Sequence, residues 1–355
     1  MTNDLTSNDL TSNDLASNDL TSSALKPVQL VSVATAVPDC VLSNDELGQV
    51  VDTSDEWIFP RTGIRERRIL PPDRSLVDLA TAAGREAIAR AQLDPMDIDI
   101  VILATSTASE RFGSAGAIQG VLGAKRAVAF DLTAACTGFV FAVATAAQFL
   151  QTGCYRRALV IAADVLSRTV DWSDRRTCVL FGDGAGAVVL EAGQTAGLLG
   201  MELRSDGTGC DLLTLRNEAE PHQLTDSIQV GQYRNQFIAM NGREVYKFAV
   251  REVPEVLEKT LFHSGLEAKE VDGFFLHQAN QRILDAIAAR MDVPVERFAS
   301  VMDRFGNTSA ASIPLALADW VERGELTVGQ LAVAAGFGAG LTWGAIAFRW
   351  GRLDD

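Results

Sequence analysis

Apolar positions in this chain gather into short continuous runs, separated by segments with helical spacing. Residues 28–34 read as a strand. Residues 76–91 carry apolar side chains at helical spacing, and residues 98–104 form a nearly unbroken apolar strand. A further buried strand is expected at 158–163. Strands apolar on both faces and alternating with helices predict a parallel sheet covered on both sides. Between them lies the stretch 129–150: a short strand, a tight turn holding Cys136, and a helix with almost no charge. A helix apolar on every side is buried, because no face suits water. Residues 43–46 open a helix with a capping-box pattern, and residues 52–68 read as a polar loop.

The second half of the pattern echoes the first. Residues 274–282 end an apolar strand at His277 and enter a helix. Residues 300–318 repeat the order turn, small residues, Ala-rich apolar helix. Residues 331–348 predict strand–turn–strand, as do the glycine-rich residues 178–191. The latter are not a dinucleotide fingerprint, since a strand-like run follows the glycines rather than a helix. Preserved element order with weak identity predicts an internally duplicated α/β fold. It divides into an N-terminal half at 28–195 and a C-terminal half at 196–355, with Asn307 as pseudo-symmetric partner of Cys136. Residues 1–27 are set apart. Most of this tail repeats a polar five-residue unit that cannot bury enough surface to offset its ordering entropy, so it is expected to be disordered.

Composition narrows the function. The formal net charge of -15 excludes a broadly basic nucleic-acid-binding face, while leaving room for local basic patches. The five cysteines form no CxxC pair, so neither a zinc site nor a disulfide framework is expected. A reducing cytoplasm fits. No apolar run is long enough to span a membrane, and no signal-peptide pattern opens the chain. Only three histidines occur, so histidine chemistry rests on His222, His263 or His277.

Cys136 falls at the expected start of the apolar helix, where unpaired N–H groups and partial positive charge favour a thiolate and lower a thiol's pKa. The plainer reading is a buried thiol that fills space. Trp57, with Arg61 and its neighbouring arginines, suits a nucleotide-containing ligand, because indole stacks on flat rings and guanidinium pairs with phosphate. The plainer reading there is a surface loop with a partly buried indole.

Together the motifs at 52–57, 61–67, 134–139, 181–186, 277–280, 306–312 and 336–344 resemble β-ketoacyl-acyl-carrier-protein synthase III, of the thiolase superfamily. The likeness runs from about residue 28 to the C-terminus, with the motifs in family order. It implies a thiolase-like α/β fold, two pseudo-symmetric βαβαβαββ halves layered α-β-α-β-α. It implies a catalytic set of Cys136, His277 and Asn307, and an oxyanion hole at the backbone of Cys136 and Ala339. The coenzyme A tunnel would use Thr53, Trp57, Arg61, Arg175 and Asn280. The acyl pocket would use Phe112, reaching across a homodimer, and Phe337. An acidic carrier protein would dock on Lys247, Arg282 and Arg290. Two departures, Phe305 in place of a common His and Ala339 in place of a common Gly, are expected to reshape the pocket.

The implied reaction is a decarboxylative Claisen condensation of a short acyl-CoA, acetyl-CoA above all, with malonyl-acyl-carrier protein through an acyl-Cys136 intermediate, starting fatty acid synthesis. No metal and no cofactor is called for beyond the coenzyme A thioester that is itself substrate. A specialised-pathway condensing enzyme or an acyltransferase on the same fold is the alternative. A noncatalytic partner subunit is a third reading, which the retained Cys136, His277 and Asn307 disfavour.

Overall fold

The computed structural model describes residues 25–353, so nearly all of the polar repeat tail lies outside the described residues. The first series of elements runs β1 (Val28–Ala36), α1 (Leu76–Arg90), β2 (Ile100–Ala104), α2 (Ala115–Leu122), β3 (Val128–Leu132), α3 (Gly138–Gln151), β4 (Arg157–Val165) and β5 (Asp183–Ala192). The second runs β6 (Leu198–Ser205), α4 (Gly242–His263), β7 (Gly273–Leu276), α5 (Gln281–Arg290), α6 (Ser312–Glu322), β8 (Leu331–Gly338) and β9 (Thr342–Arg349).

The first series builds a five-stranded sheet in the order β1-β5-β4-β2-β3. Its β4, β2 and β3 are parallel, and β5 and β1 are antiparallel additions. The second builds a four-stranded sheet, β7-β8-β9-β6, with β7 parallel to β8 and the remaining pairs antiparallel. The two sheets share one topology except at one edge. Where the first has β3, the second has only an isolated parallel bridge between Phe274 and Phe298. Those two rings stack 4.7 Å apart at 10°.

Strand alternation explains the layering. Ile100, Ile102, Ala158 and Val160 face a central core, while Val101, Leu103, Leu159 and Ile161 face an outer one with α1 and α2. In the second sheet Ala332 and Ala334 share the central core, and Val333 and Ala335 face α4 and α5. Period-two side chains buried on both sides require cover on both faces. The central layer between the sheets is α3, which carries no charged residue, and α6, whose two carboxylates, Asp319 and Glu322, fall in its second half. Five layers result, α-β-α-β-α.

Local chemistry sets the element ends. Ser43 and Glu46 form the expected capping box on a one-turn helix, Asn44–Leu47. Ser75 and Asp78 form another at the start of α1. Two expectations need correction. The polar stretch at 52–68 is not a loop: Asp55–Thr62 is a helix with acidic residues in its first turn, closed by Gly63 at φ 82°. Glycine is the residue that takes this left-handed cap without penalty. Residues 178–191 are not strand–turn–strand. Residues 178–180 form a turn, Phe181 makes a single bridge to Asn307, and one strand, β5, follows. A hairpin of Asn217–Thr225 with Ile228–Asn235 lies fully exposed, so no buried stripe announced it.

Candidate active site

Cys136 sits in a 3₁₀ turn, Ala135–Thr137, that leads directly into α3. The matching turn Ser309–Ala311 leads into α6. Each turn begins with a non-glycine residue at positive φ, Ala135 at 46° and Ser309 at 52°. This common register places Ala310, not Asn307, opposite Cys136; Asn307 falls opposite Thr133. Cys136 and Asn307 are therefore not a symmetric pair, although both stand in a segment that leads into a central helix.

The strand β8 runs against the cysteine turn. A methyl built on Gly336 would lie 2.7 Å from Cα of Thr137. Thr137 Oγ1 donates to the Thr342 carbonyl at 3.0 Å, and Thr342 Oγ1 donates to the Ala134 carbonyl at 3.2 Å. These bonds lace the turn between β8 and β9, which carries Ala339, to the turn carrying Cys136. Two backbone segments are thus held on one side of the sulfur.

His277 follows the last residue of β7 and is 2 % exposed. Its backbone N–H donates to the Ala335 carbonyl at 2.8 Å. Its Nδ1 lies 2.8 Å from Ser312 Oγ, and its ring meets Phe337 edge-on at 5.1 Å. Asn307 Oδ1 accepts the Ser309 N–H at 2.9 Å. With its oxygen occupied, the amide's donor end is what remains for a ligand.

Electrostatics depart from expectation at the sulfur. Burial pushes the Cys136 thiol from an ordinary 9.0 up to about 12, with the Ser309 hydroxyl pulling down and the Asp164 charge pushing up. A helix terminus supplies at most about 2 kcal/mol, and one pKa unit is about 1.4 kcal/mol. The terminus therefore cannot offset desolvation, and the resting group is a thiol. Burial likewise pushes His277 from 6.5 down to about 3, against the pull of the Ser309 carbonyl, so the imidazole is neutral. Asp164 lies behind them, fully buried, with Oδ1 accepting from Ser106 N–H at 2.8 Å and Thr107 Oγ1 at 3.0 Å. Desolvation raises its pKa as well.

A cavity of about 350 Å³ brings Cys136, His277 and Asn307 together with Trp57, Arg61 and Arg175. Asn280, Arg282 and Phe337 line it too. Arg61 and Arg175 stand over the Trp57 ring at 4.7 and 4.8 Å. Arg175 is held there by the Asp52 carbonyl at 2.8 Å. Asn280 caps α5 by accepting the Arg282 N–H at 2.9 Å. Thr53, beside Asp52, does not line this cavity, and its buried hydroxyl has no partner.

A second cavity, about 60 Å³, opens on the other side of Cys136 and is walled by Ala339, Leu213, Leu215, Ile238 and Phe181. Phe337 is absent from it and lines the larger cavity instead, beside His277. Alternation along β8 turns Gly336 and Gly338 toward the cysteine turn and Phe337 to the opposite face, onto His277. Phe112 is 100 % exposed and lines neither of these two cavities. Phe305 lines neither of them; its ring lies near Arg68 and Arg304, so that departure does not reshape the pocket as expected.

Of the expected docking residues, Arg282 is at the main cavity. Lys247 lies outside its lining, paired with Glu244 at 2.7 Å, and exposed Arg290 reaches the Val250 carbonyl at 3.4 Å. Among the described residues no group of three or more His, Cys, Asp or Glu could hold a metal ion. No described helix is long and apolar enough to cross a membrane. Sequence reasoning missed Ser309, Ser312 and Asp164, all buried polar residues. Their signal, hydroxyls and a carboxylate within apolar runs, was present but read as part of helices and strands.

Comparison with known proteins bears on the family and the fold. A family model described as 3-oxoacyl-[acyl-carrier-protein (ACP)] synthase III matches residues 130–207, and one for that synthase's C-terminal region matches 261–350. The β-ketoacyl-[acyl-carrier-protein] synthase III of Synechococcus elongatus is 56% identical over 327 residues, covering 92% of this chain and 98% of that protein. The corresponding synthase of Gloeobacter violaceus is 54% identical, covering 92% and 99%. The crystal structure of the Aquifex aeolicus synthase III superposes with a TM-score of 0.84 at 40% identity, covering 91% of this chain and 100% of that one. The priming β-ketosynthase of the R1128 polyketide pathway superposes at 0.85 and 33% identity, covering 93% and 98%.

Proposed function

The chain belongs to the β-ketoacyl-[acyl-carrier-protein] synthase III family, and from that premise we propose that it condenses a short acyl-CoA with malonyl-acyl-carrier protein, giving 3-oxoacyl-carrier protein, CO2 and free coenzyme A. The observation that carries the reading is the convergence of Cys136, His277 and Asn307 on one cavity whose lining also includes Trp57 and two arginines.

In the first half-reaction the Cys136 sulfur attacks the acyl carbonyl. A carbon–sulfur bond forms, the bond to coenzyme A breaks, and the thiol proton ends on the departing sulfur. The product is again a thioester, so the carbonyl stays activated for a second attack. The oxyanion formed on the way faces the backbone N–H groups of Cys136 and Ala339. In the second half-reaction the malonyl group loses CO2. Negative charge develops on its thioester oxygen, where the His277 Nε2–H and the Asn307 amide donate. Neutral donors are suited to this, and burial keeps His277 neutral. The enolate carbon then attacks acyl-Cys136, the carbon–sulfur bond breaks, and the expelled thiolate takes up a proton from solvent to return to the thiol. Both substrates are already activated as thioesters, so the reaction asks for no cofactor.

The 60 Å³ space beyond the sulfur corresponds to about two water volumes, which suits an acetyl group. Trp57 and Arg175 hold the adenine end of coenzyme A, with Arg61 and Asn280 along the tunnel. Arg282, with Lys247 and Arg290, meets the acidic carrier protein. We read the protein as a cytoplasmic homodimer in which exposed Phe112 closes the partner's acyl cavity.

Intact-mass spectrometry after incubation with an acyl-CoA panel tests the proposal. An acetyl adduct that disappears in Cys136→Ala, with acyl-CoA-dependent CO2 release from malonyl-carrier protein, supports it. Folded protein that forms no adduct and releases no CO2 refutes it. The likeness to the R1128 priming synthase favours a second reading, a condenser that primes a specialised pathway. Preference for a primer longer than acetyl in the same panel would select it.

A further inference from the structure

We propose that Ser312 is a positioning residue that fixes where His277 carries its proton. The inference rests on the reading of His277 as a donor to the enolate. Ser312 is the first residue of α6 and is 1 % exposed. Its hydroxyl oxygen accepts the Gln278 backbone N–H at 3.1 Å and lies 2.8 Å from His277 Nδ1 and 2.7 Å from the Ser309 carbonyl.

One hydroxyl proton has two acceptors in reach, the Ser309 carbonyl and a lone pair on His277 Nδ1. The Ser309 carbonyl already accepts the Ser312 backbone N–H, which closes the 3₁₀ turn, so it loses little if the hydroxyl turns away. A donor to the enolate oxygen needs the ring proton on Nε2, and a neutral imidazole carries only one, which leaves Nδ1 an acceptor. A buried acceptor without a partner costs about 1–3 kcal/mol, and the Ser312 hydroxyl is the donor within reach of it. The opposite placement of the ring proton would aim a lone pair at the developing negative charge. The Phe337 edge on the ring and the Ala335 carbonyl on the His277 backbone hold the imidazole's place; Ser312 selects its tautomer.

Nitrogen NMR of protein labelled in histidine, together with half-reaction kinetics, tests this. In the wild type, His277 Nδ1 reads as unprotonated and Nε2 as protonated. In Ser312→Ala the Nδ1-protonated form appears. Malonyl decarboxylation falls roughly 10- to 100-fold, the range found when the partner orienting a metal-bound imidazole is removed. KM for malonyl-carrier protein and the rate of Cys136 acylation change by less than about twofold, since neither uses Nε2–H. Ser312→Thr, which keeps the hydroxyl, restores the wild-type tautomer and rate.

A double-mutant cycle closes the test. In a His277→Ala background, Ser312→Ala leaves residual decarboxylation unchanged, because its effect passes through the ring. Protonated Nδ1 in the wild type overturns the inference. So does an equal loss on Ser312→Ala whether or not His277 is present. Full decarboxylation by His277→Ala alone overturns the donor role instead, and the NMR result still decides whether Ser312 sets the ring.

Discussion

Gly338 stands against Cys136: a methyl built on it would lie 2.9 Å from Cβ of the cysteine and 3.3 Å from its Sγ. Real Cβ atoms do not approach so closely, and Cys136 is itself buried. Gly338→Ala is therefore expected to displace the sulfur. Overpacking of this size costs about 1–3 kcal/mol of stability. Acylation by acetyl-CoA should fall far more than the melting temperature implies, because the oxyanion donors proposed above, the N–H groups of Cys136 and Ala339, lie in the two turns that Thr137 and Thr342 lace together. Stopped acylation followed by mass measurement checks it; an unaltered acylation rate counts against the turn-on-turn geometry.

The coenzyme A end should separate cleanly from the chemistry. Stacking on an aromatic ring contributes about 0.5–1.5 kcal/mol, and hydrogen bonds to charged groups about 1.5–3 kcal/mol. Trp57→Ala is expected to raise KM for acetyl-CoA roughly threefold to tenfold, and Arg175→Ala by more. Arg175 lies 4.8 Å from the Trp57 ring centre, so the double variant should lose less than the product of the two. Neither change should affect acetyl-pantetheine, which lacks the nucleotide. Equal losses with both substrates would show that these residues support the fold rather than the ligand.

Acid should destabilise the protein through His277. Its folded pKa of about 3 lies below the ordinary 6.5, so in the window between them the unfolded chain takes up a proton that the folded one refuses. Stability from this group is fully present above pH 6.5 and declines as pH falls toward 3. The buried Asp164 and Asp183, whose pKa values are raised by desolvation, act in the opposite direction above about 3.8. Denaturant titrations of wild type and His277→Asn at pH 7 and pH 5 isolate the histidine. The wild type should lose more stability than the variant across that interval. Above pH 9 the thiol reverses the sign: the unfolded chain ionises first, and the advantage of wild type over Cys136→Ala shrinks toward pH 12.

Primer length should answer to the wall of the small cavity. Leu215 borders both the 60 Å³ space beside Cys136 and a neighbouring cavity of about 420 Å³. Leu215→Ala is expected to join them and to shift the preferred acyl-CoA from two carbons to four or more, at about tenfold in relative kcat/KM. Competition assays with mixed acyl-CoAs give the ratio. An unchanged preference would place the acyl group elsewhere.

Carrier-protein docking should be uneven among the three expected cations. Arg282 is exposed at the cavity and makes no ion pair among the described residues, whereas Lys247 is already engaged by Glu244. Arg282→Glu should raise KM for malonyl-carrier protein roughly tenfold at low salt, Lys247→Glu by less, and both effects should fade as salt rises. Effects that persist at high salt would point to damaged packing.

These expectations draw unequally on the chain and on its folding. The two central helices were readable because nearly every side chain in α3 and α6 is apolar or small, and such helices have one place to go. The strands β2, β4 and β8 were readable for the same reason. The helix Asp55–Thr62 was not, because its face toward the core is narrow, with Ile58 and Thr62 its buried positions. The exposed hairpin had no buried face to advertise it.

What the sequence by itself determined is an α/β chain in two echoing series, with a cysteine, a histidine and an asparagine each placed where an apolar element begins or ends. Local periodicity and turn chemistry carry that much, since they act between residues near in sequence. Only the tertiary structure decided that burial holds Cys136 as a thiol, that Phe337 meets the His277 ring edge-on, and that Ser312 reaches the imidazole. Each depends on desolvation or contact between segments far apart in the chain, and neither burial nor a 2.8 Å contact across 35 residues is written in local pattern.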